Sequence, residues 1–246
     1  MRKNRMILQA GCILLLLPIL ACGCAEIQGD SLDAILRSAK GVMDSPLDQE
    51  TVAAGLKEAL RIGTTRSVDV TSRVDGYLAN ALIRIALPDQ LRPMTRSLRS
   101  IGLDSQVDAL ETAMNRAAEK AAGEAREVFW DAITQMTLAD AFGILRGKDT
   151  AATDYLREHT GEMLRSRFQP IVTAKMGEVG FYRIYENLAN RYNTLPFVTK
   201  PAIDLNAYVT ERALDGLFTI LGQEEKRIRE DPTARTTDLL RRVFGR

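Results

Sequence analysis

The chain has 246 residues, with 33 lysines and arginines, 32 aspartates and glutamates, and one histidine. Three of the basic residues and none of the acidic ones lie in residues 1–24, so the remainder holds 30 basic and 32 acidic residues and has a net charge of about −2. This charge argues against a nucleic-acid partner, which usually needs a clustered basic surface. The length is sufficient for one large domain or two small ones.

The first 24 residues have the pattern of an export signal. A basic N terminus precedes an apolar stretch at 6–20, and a basic start before an apolar core of roughly 7–15 residues is typical of secretory signals. The core is too short for a membrane span, which needs about 20 apolar residues. An apolar and a small residue stand before Cys22, and a similar pattern precedes Cys24. We predict a lipoprotein signal peptide at 1–24 that ends at Cys22 or Cys24, with Cys22 slightly favoured.

The cysteine at the signal's end is predicted to carry the lipid on its thiol. The alternatives are an ordinary signal peptide with incidental cysteines and an uncleaved N-terminal helix. All three cysteines lie in the first 24 residues, so we expect no disulfide, no thiol nucleophile and no cysteine metal site in the exported part. Residues 25–50 are polar and irregular, and they predict a tether between the lipid and the domain.

From residue 51 to the C terminus nearly every segment has the apolar spacing of an α-helix. This pattern predicts an all-α fold, a single multi-helix domain of roughly ten helices over 51–246. Only 82–87 alternates well enough for a short strand, and one strand cannot form a sheet. The predicted helices cover 51–72, 75–82, 88–100, 103–121, 123–134, 137–145, 149–159, 160–177, 180–193 and 205–221, and a last helix begins at Asp231-Pro232.

Several local signals refine these helices. Thr137 and Asp140 have the spacing of a capping box, and Asp204 stands before an apolar stripe as a candidate N-cap. Pro170 is expected to kink the helix that it interrupts. The 193–206 segment contains two prolines and is the longest predicted non-helical stretch, so we expect a functional loop or a packing clasp there.

Two groups of residues could support chemistry, and both have a simpler interpretation. His159 and Glu162 are close enough to share a metal, but a site needs three or four ligands, so a surface histidine is the preferred interpretation. Glu124, Glu127 and Asp131 share a helical face and could support glycoside hydrolysis if one carboxyl were buried with a raised pKa. Neighbouring basic residues favour solvated ion pairs instead. We therefore assign no catalytic residue, metal or cofactor, and keep a carboxylate-dependent hydrolase as the alternative function.

The segment 181–192 places tyrosines beside arginine and asparagine, a composition that suits a binding surface. The alternative, which is more common, is that the rings close the core and only their hydroxyls point outward. The candidate binding-surface residues are Tyr182, Tyr185, Asn187, Arg191 and Tyr192, with the 193–206 loop beside them.

Six segments together resemble one bacterial family, in the order in which they occur. They are 54–60, 114–122, 131–137, 191–193, 213–218 and 234–240. These segments are similar to the family called domain of unknown function 4197, and the resemblance covers about residues 50–245. It implies a helical domain behind an export signal in a Gram-negative bacterium, and it implies no reaction and no catalytic residues. The 64–74 segment is more polar than this resemblance suggests, so we expect that end of the first helix to fray.

A Gram-negative source gives a meaning to the residue that follows the lipidated cysteine. That residue is Gly23 or Ala25, not the aspartate that typically retains lipoproteins at the inner membrane. The sequence therefore predicts an outer-membrane lipoprotein that faces the periplasm. Our leading hypothesis is a non-enzymatic module that is anchored to the membrane by its lipid and binds an envelope protein, polymer or lipid.

Overall fold

The computed structural model of the chain describes residues 48–196, 198 and 202–244. The predicted signal with Cys22 and Cys24, and nearly all of the predicted tether, lie outside these residues. Within them the chain is helical and contains no strand, which confirms the all-α prediction. None of the described helices is long and apolar enough to cross a membrane. The α-helices are α1 (Gln49–Ser72), α2 (Arg92–Ser100), α3 (Asp104–Ala122), α4 (Ala125–Gln135), α5 (Leu138–Leu145), α6 (Ala151–Glu178), α7 (Phe181–Asn193), α8 (Leu205–Glu230) and α9 (Asp238–Phe244).

Helix α1 continues through a segment in which we expected fraying. Its first turn is capped by Asp48, whose carboxylate accepts a backbone N–H at 2.6 Å. Thr64, Ser67 and Thr71 are buried, and each hydroxyl donates to the backbone carbonyl four residues earlier at 2.7–2.8 Å. Because these bonds satisfy the hydroxyls inside the helix, the prediction for 64–74 is wrong over most of that segment.

Helices α1, α6 and α8 are the long elements of the core, and α8 runs antiparallel to the other two. Along α1, the pairs Ala59 with Ile228 and Arg66 with Glu224 show the opposed directions. Along α6, Arg157 pairs with Asp215, near the middle of α8, and Arg165 pairs with Glu211, nearer its start. The buried stripe between these helices is the main part of the core.

Helix α6 is one helix where the sequence predicts two, at 149–159 and 160–177. Gly161 and Pro170 both lie inside it. The apolar stripe explains the continuity, because the same buried face crosses the predicted break and packs against α3, α4 and α8. Its buried apolar residues are Ala152, Leu156, Leu164, Phe168, Val172 and Met176.

Residues 73–88 connect α1 to a short 3-10 turn, and the helix predicted at 75–82 is wrong. Asp75 has a φ of 66°, in the left-handed region that interrupts a right-handed helix. A Cβ at Gly76 would lie 2.5 Å from the Val70 carbonyl oxygen, so the tight turn needs glycine. The alternating segment 82–87 also pairs with no strand in the described ranges. Side chains of α3 hold this connection in place, as described below.

The two helix caps predicted from sequence are confirmed. The Thr137 hydroxyl accepts the Asp140 N–H at 3.2 Å, and the Asp140 carboxylate accepts the Thr137 N–H at 2.9 Å, which completes a capping box. The Asp204 carboxylate accepts the Ala207 N–H at 3.0 Å at the start of α8. Short-range polar spacing was therefore sufficient to place these two helix starts.

The end of the chain differs from the prediction in one respect. The Asp231 carboxylate accepts the Thr233 N–H at 2.8 Å and begins a 3-10 turn, and the last helix, α9, begins only at Asp238. Helix α9 then packs on α1, where a Cβ added to Gly55 would lie 2.5 Å from Val243 Cγ2. Gly55 thus allows the close approach of the two helices.

Candidate functional site

A buried asparagine of α3 pairs with the backbone of the 73–88 connection. Asn115 Oδ1 accepts the Ile85 N–H at 2.9 Å, and Asn115 Nδ2 donates to the Ile85 carbonyl, also at 2.9 Å. The same Nδ2 donates to the Glu111 carbonyl at 2.9 Å. Asn115 is fully buried and Ile85 is 1% exposed, so the side chain replaces the strand partner that Ile85 lacks. This residue has a structural role.

A buried carboxylate one turn later holds the other half of the connection. Glu119 Oε1 accepts the backbone N–H groups of Tyr77 and Leu78, each at 3.2 Å, and Oε2 pairs with Arg116 at 2.7 Å. Arg116 also pairs with Asp75 at 2.7 Å. The Tyr77 hydroxyl donates to a carbonyl of α8 at 2.6 Å, and burial, with the nearby charge of Glu119 as a smaller cause, raises its pKa far above the usual value. The acceptor oxygens of Glu119 are occupied by the fold.

Glu225, on α8, is the second buried carboxylate and caps α6 from outside. It accepts the Ala152 N–H at 2.9 Å, and the Thr153 N–H and hydroxyl at 2.8 Å. Arg229 donates to the same carboxylate at 2.9 Å. The N-cap residue of α6, Thr150, forms no cap bond of its own, so Glu225 satisfies N–H groups that would otherwise lack a partner. This carboxylate is also structural.

The carboxylates proposed from sequence for catalysis lie at the surface. Glu124, Glu127 and Asp131 are all exposed. A carboxyl with a raised pKa, as the general acid of a hydrolase requires, needs burial or a close like charge. These three side chains do not supply the buried acid on which the hydrolase prediction depends.

The single histidine lies on the surface of α6. The His159 ring stacks on Tyr155 with ring centroids 4.0 Å apart, and its Nδ1 lies 2.9 Å from the Tyr155 carbonyl oxygen, to which a protonated Nδ1 donates. Glu162 pairs with Arg165 at 2.6 Å. Among the described residues no group of three or more His, Cys, Asp or Glu is positioned to hold a metal ion.

The three tyrosines of the predicted binding surface are buried or half-buried against the core. Tyr192 is buried. Tyr182 is half-buried, and its hydroxyl donates to Asn206 Oδ1 at 2.6 Å. Tyr185 is half-buried against Phe181, with parallel rings whose centroids are 6.2 Å apart, and burial raises the pKa of its hydroxyl. The rings therefore pack α7 against the core, and the Tyr182 hydroxyl bonds it to α8.

The two polar members of that prediction, Asn187 and Arg191, remain exposed and line one open groove of about 580 Å³. We call it the polar groove; its lining residues are Gln106, Asn187, Asn190, Arg191 and Thr194. The Arg191 guanidinium forms no ion pair with any residue in the described ranges, and the Thr194 hydroxyl donates to the Arg191 carbonyl at 2.7 Å. The structure thus separates the predicted surface into a buried aromatic part and an exposed amide and guanidinium part.

The residue of the polar groove that sequence reasoning missed is Gln106. It lies on the first turn of α3, directly before the buried stripe residue Val107. Helix periodicity shows that this position borders the core, but no local pattern indicates that α7 packs beside it. Asn115, Glu119 and Glu225 were also missed, and for the first two there was a signal, because they are polar residues bordering the apolar stripe of α3.

The polar groove and the first turn of α1 lie toward opposite ends of the domain. The start of α7 is tied to the start of α8 by the bond from Tyr182 to Asn206. The end of α8 packs against the first half of α1 through Ile228 and Ala59. Helix α8 has 26 residues and is therefore about 39 Å long. Asp48, the N-cap of α1, thus lies remote from the groove.

A second cavity is small, apolar and close to α9. Its volume is about 20 Å³, comparable to the space of a single water molecule. Leu56, Leu60, Leu221 and Phe244 form its apolar wall, and Glu225 lies at its edge. The cavity is a packing gap between α1, α6, α8 and α9, too small for an organic ligand.

Comparisons with known proteins place the whole described domain within one family model. That model, described as "Protein of unknown function (DUF4197)", matches residues 46–245. The matched range includes the polar groove and the buried residues Asn115, Glu119 and Glu225, whose side chains bond to backbone groups of other segments. No curated protein matches the chain, and no solved structure matches it.

Proposed function

We propose that this chain, which belongs to the DUF4197 family of proteins of unknown function, is an exported lipoprotein whose helical domain binds a component of the cell envelope at the polar groove. In this proposal the lipid is attached at Cys22 or Cys24 and holds the domain at the periplasmic face of the outer membrane. The domain's role is binding. The alternative, a hydrolase that uses Glu124 and Asp131, is not favoured, since both side chains are exposed.

The observation that carries the proposal is the exposed guanidinium in a groove lined by amides. Arg191 is exposed and lines the groove with Asn187, Asn190 and Gln106. Twelve of the 21 arginines in the described ranges pair with a carboxylate there, for example Arg165 with Glu162, and Arg191 is among the nine that do not. An arginine that lacks such a carboxylate can form charge-assisted bonds with a ligand, which are about twice as strong as neutral ones.

The predicted anchor suits a binding role at this position. Residues 25–47 separate the candidate lipidated cysteines from Asp48, the N-cap of α1. In this proposal these residues form the tether. Such a tether keeps the domain near the membrane, and the polar groove, toward the opposite end of the domain, stays accessible from the periplasm.

A photocrosslinking experiment tests the binding site. We would place a photoreactive residue at Asn190 in the full-length protein, irradiate cells that express it, and purify the crosslinked products. The matched control position is Asn193, an exposed asparagine near the end of the same helix that does not line the groove. We expect a discrete product from position 190 that Arg191→Ala abolishes.

Arg183→Ala serves as the control for the loss of charge, because Arg183 is exposed on α7 and outside the groove. It should leave the product from position 190 intact. Identical products from positions 190 and 193, or a product that survives Arg191→Ala, would show that the groove is not the binding site.

The anchor is tested separately by mass spectrometry of the N-terminal peptide. We expect a diacylglycerol-modified cysteine in the wild-type chain, and loss of the modification in Cys22→Ser or in Cys24→Ser, whichever removes the acceptor. An unmodified, uncleaved N terminus in the membrane fraction would refute the lipoprotein assignment and leave the test of the groove unaffected.

A further inference from the structure

The side chains that line the polar groove define the chemistry of a ligand more narrowly than a general binding site. Three of the five are primary amides, one is a guanidinium and one is a hydroxyl. Each primary amide offers two donors and one acceptor with two lone pairs, and arginine offers donors only. We infer that the polar groove binds an extended peptide that carries a free carboxylate; this inference rests on the proposed function and specifies its ligand.

An amide side chain of this protein already pairs with an extended backbone. Asn115 accepts the N–H of Ile85 and donates to its carbonyl, both at 2.9 Å. This two-bond pairing needs only an amide that faces one residue of an extended chain. In the polar groove Asn187 and Asn190 present the same group to solvent, where the peptide can come from another molecule, and the half-buried Gln106 lines the groove with them.

The spacing of these amides fits an extended peptide. Residues three apart on a helix, such as Asn187 and Asn190, have Cβ atoms roughly 5–6 Å apart. An extended chain presents the N–H and C=O groups of alternate residues to the same side, at intervals of about 6.8 Å. Two neighbouring asparagine side chains can therefore engage alternate residues of one peptide, with Gln106 approaching from α3.

Arg191 supplies the partner for a carboxylate. It follows Asn187 by four residues, so the two side chains begin on the same face of α7, and Asn190 also lines the groove. A guanidinium matches a carboxylate with two parallel N–H···O bonds. None of the residues that line the groove is acidic, so an anionic ligand meets no like charge there.

A glycan fits this groove less well than a peptide. Sugar rings are commonly bound on exposed aromatic faces, and none of the residues that line the groove is aromatic. The neighbouring tyrosines are already packed, since Tyr192 is buried and Tyr185 stacks against Phe181. The available groups are suited to hydrogen bonds with amides and carboxylates.

Side-chain amide resonances provide a direct test with the full-length, lipidated protein in detergent micelles. We would titrate it with tetra-L-alanine that has a free carboxylate, with the C-terminal amide of the same peptide, and with an N-acetylglucosamine tetramer. We expect the free acid to shift the side-chain NH₂ signals of Gln106, Asn187 and Asn190. The C-terminal amide should bind at least about tenfold more weakly, since it lacks the charge-assisted bonds.

Two variants separate the proposed contact from general charge effects. Arg191→Ala should weaken binding of the free acid by at least about tenfold, whereas Arg183→Ala should leave it unchanged. Arg191→Lys keeps the charge but cannot form the bidentate pair of hydrogen bonds with a carboxylate. The affinity of this variant should lie between those of the wild type and Arg191→Ala. Circular dichroism of each variant confirms that the helices are retained.

A tetrapeptide that ends in D-alanine distinguishes the two sources of such a ligand. Preference for this peptide indicates a peptide of the cell wall, whereas preference for the all-L peptide indicates the C terminus of a protein; either result supports the inference. Equal binding of acid and amide, or binding of the N-acetylglucosamine tetramer alone, overturns it. If neither peptide binds while the product from position 190 persists and still depends on Arg191, the peptide inference fails and the proposed function stands. If that product is also absent, both fail.

Discussion

Replacement of Asn115 tests whether one buried amide holds the 73–88 connection on α3. In Asn115→Ala the helix keeps its backbone bonds, because alanine is a good helix former. The Ile85 N–H and carbonyl, however, lose the partners that lie 2.9 Å away in the wild type. Ile85 is 1% exposed, so water cannot replace these bonds unless the connection moves.

The expected loss follows from these two orphaned groups. A buried donor or acceptor that is left without a partner costs about 1–3 kcal/mol, which gives a range of about 2–6 kcal/mol for the pair. We expect about 3–4 kcal/mol, because the connection can shift toward water and recover part of the loss. A domain of this kind has a free energy of unfolding of about 5–15 kcal/mol, so the variant should remain folded.

Urea unfolding followed by circular dichroism measures this loss. With a slope of about 2 kcal/mol per molar urea, the midpoint should fall by about 1.5–2 M. Asn193→Ala, at an exposed asparagine, is the matched control and should stay within about 0.5 kcal/mol of the wild type. A loss below about 1 kcal/mol in Asn115→Ala, or one equal to that of the control, would falsify the hypothesis that the Asn115 amide holds the 73–88 connection on α3.

A second variant at the same position should make the free energy of unfolding depend on pH. Asn115→Asp keeps an acceptor for the Ile85 N–H but directs a second oxygen at the Ile85 carbonyl. Burial and this contact should raise the pKa of the new carboxyl above its unfolded value of about 3.9. Stability should therefore be greatest below that value and decline as pH rises through the raised pKa. A pH-independent difference from the wild type would contradict this account.

Four further variants test packing and caps. Gly55→Ala should lower the free energy of unfolding by about 1–3 kcal/mol by displacing α9, whereas Gly161→Ala, with open space around its Cβ, should raise it by about 0.5–1 kcal/mol. Glu225→Gln should cost about 3 kcal/mol, because it removes the charge from a buried ion pair that also caps α6. Hydrogen bonds from Thr137 hold the pKa of Asp140 below its ordinary value. Asp140 thus stabilises the fold above its unfolded pKa and loses this effect as pH falls through the folded pKa, so Asp140→Asn should lose less stability than the wild type between about pH 5 and pH 2.

Urea unfolding at several pH values measures all four effects. Equal stability of the Gly55→Ala variant and the wild type would show that α9 does not need the close approach to α1. A Gly161→Ala variant that is less stable than the wild type would indicate a backbone that alanine cannot adopt. A Glu225→Gln variant as stable as the wild type would show that the cap contributes little. Parallel acid profiles for Asp140→Asn and the wild type would remove the capping box as a source of pH dependence.

Much of the fold could be predicted because helix formation depends on near neighbours. The 3-4 spacing of apolar residues placed most of the helices, and the Thr137 to Asp140 spacing placed a helix start to the residue. The same local view misread 75–82 as a helix. There only Tyr77 among the apolar residues is fully buried, while Asp75 adopts a left-handed conformation and Gly76 a turn that excludes a Cβ.

The sequence by itself determined that the domain from residue 51 onward is helical, where most of its helices begin and end, and which cysteines a lipid-anchor hypothesis requires. Only the tertiary structure decided which polar residues remain available to a ligand. Asn115 and Asn187 carry the same amide group. The amide of Asn115 is hydrogen-bonded to the backbone of Ile85, whereas the amide of Asn187 is exposed in the polar groove. The difference arises because a polar side chain's partner is set by which distant segment packs beside it, and helical periodicity contains no information about that contact.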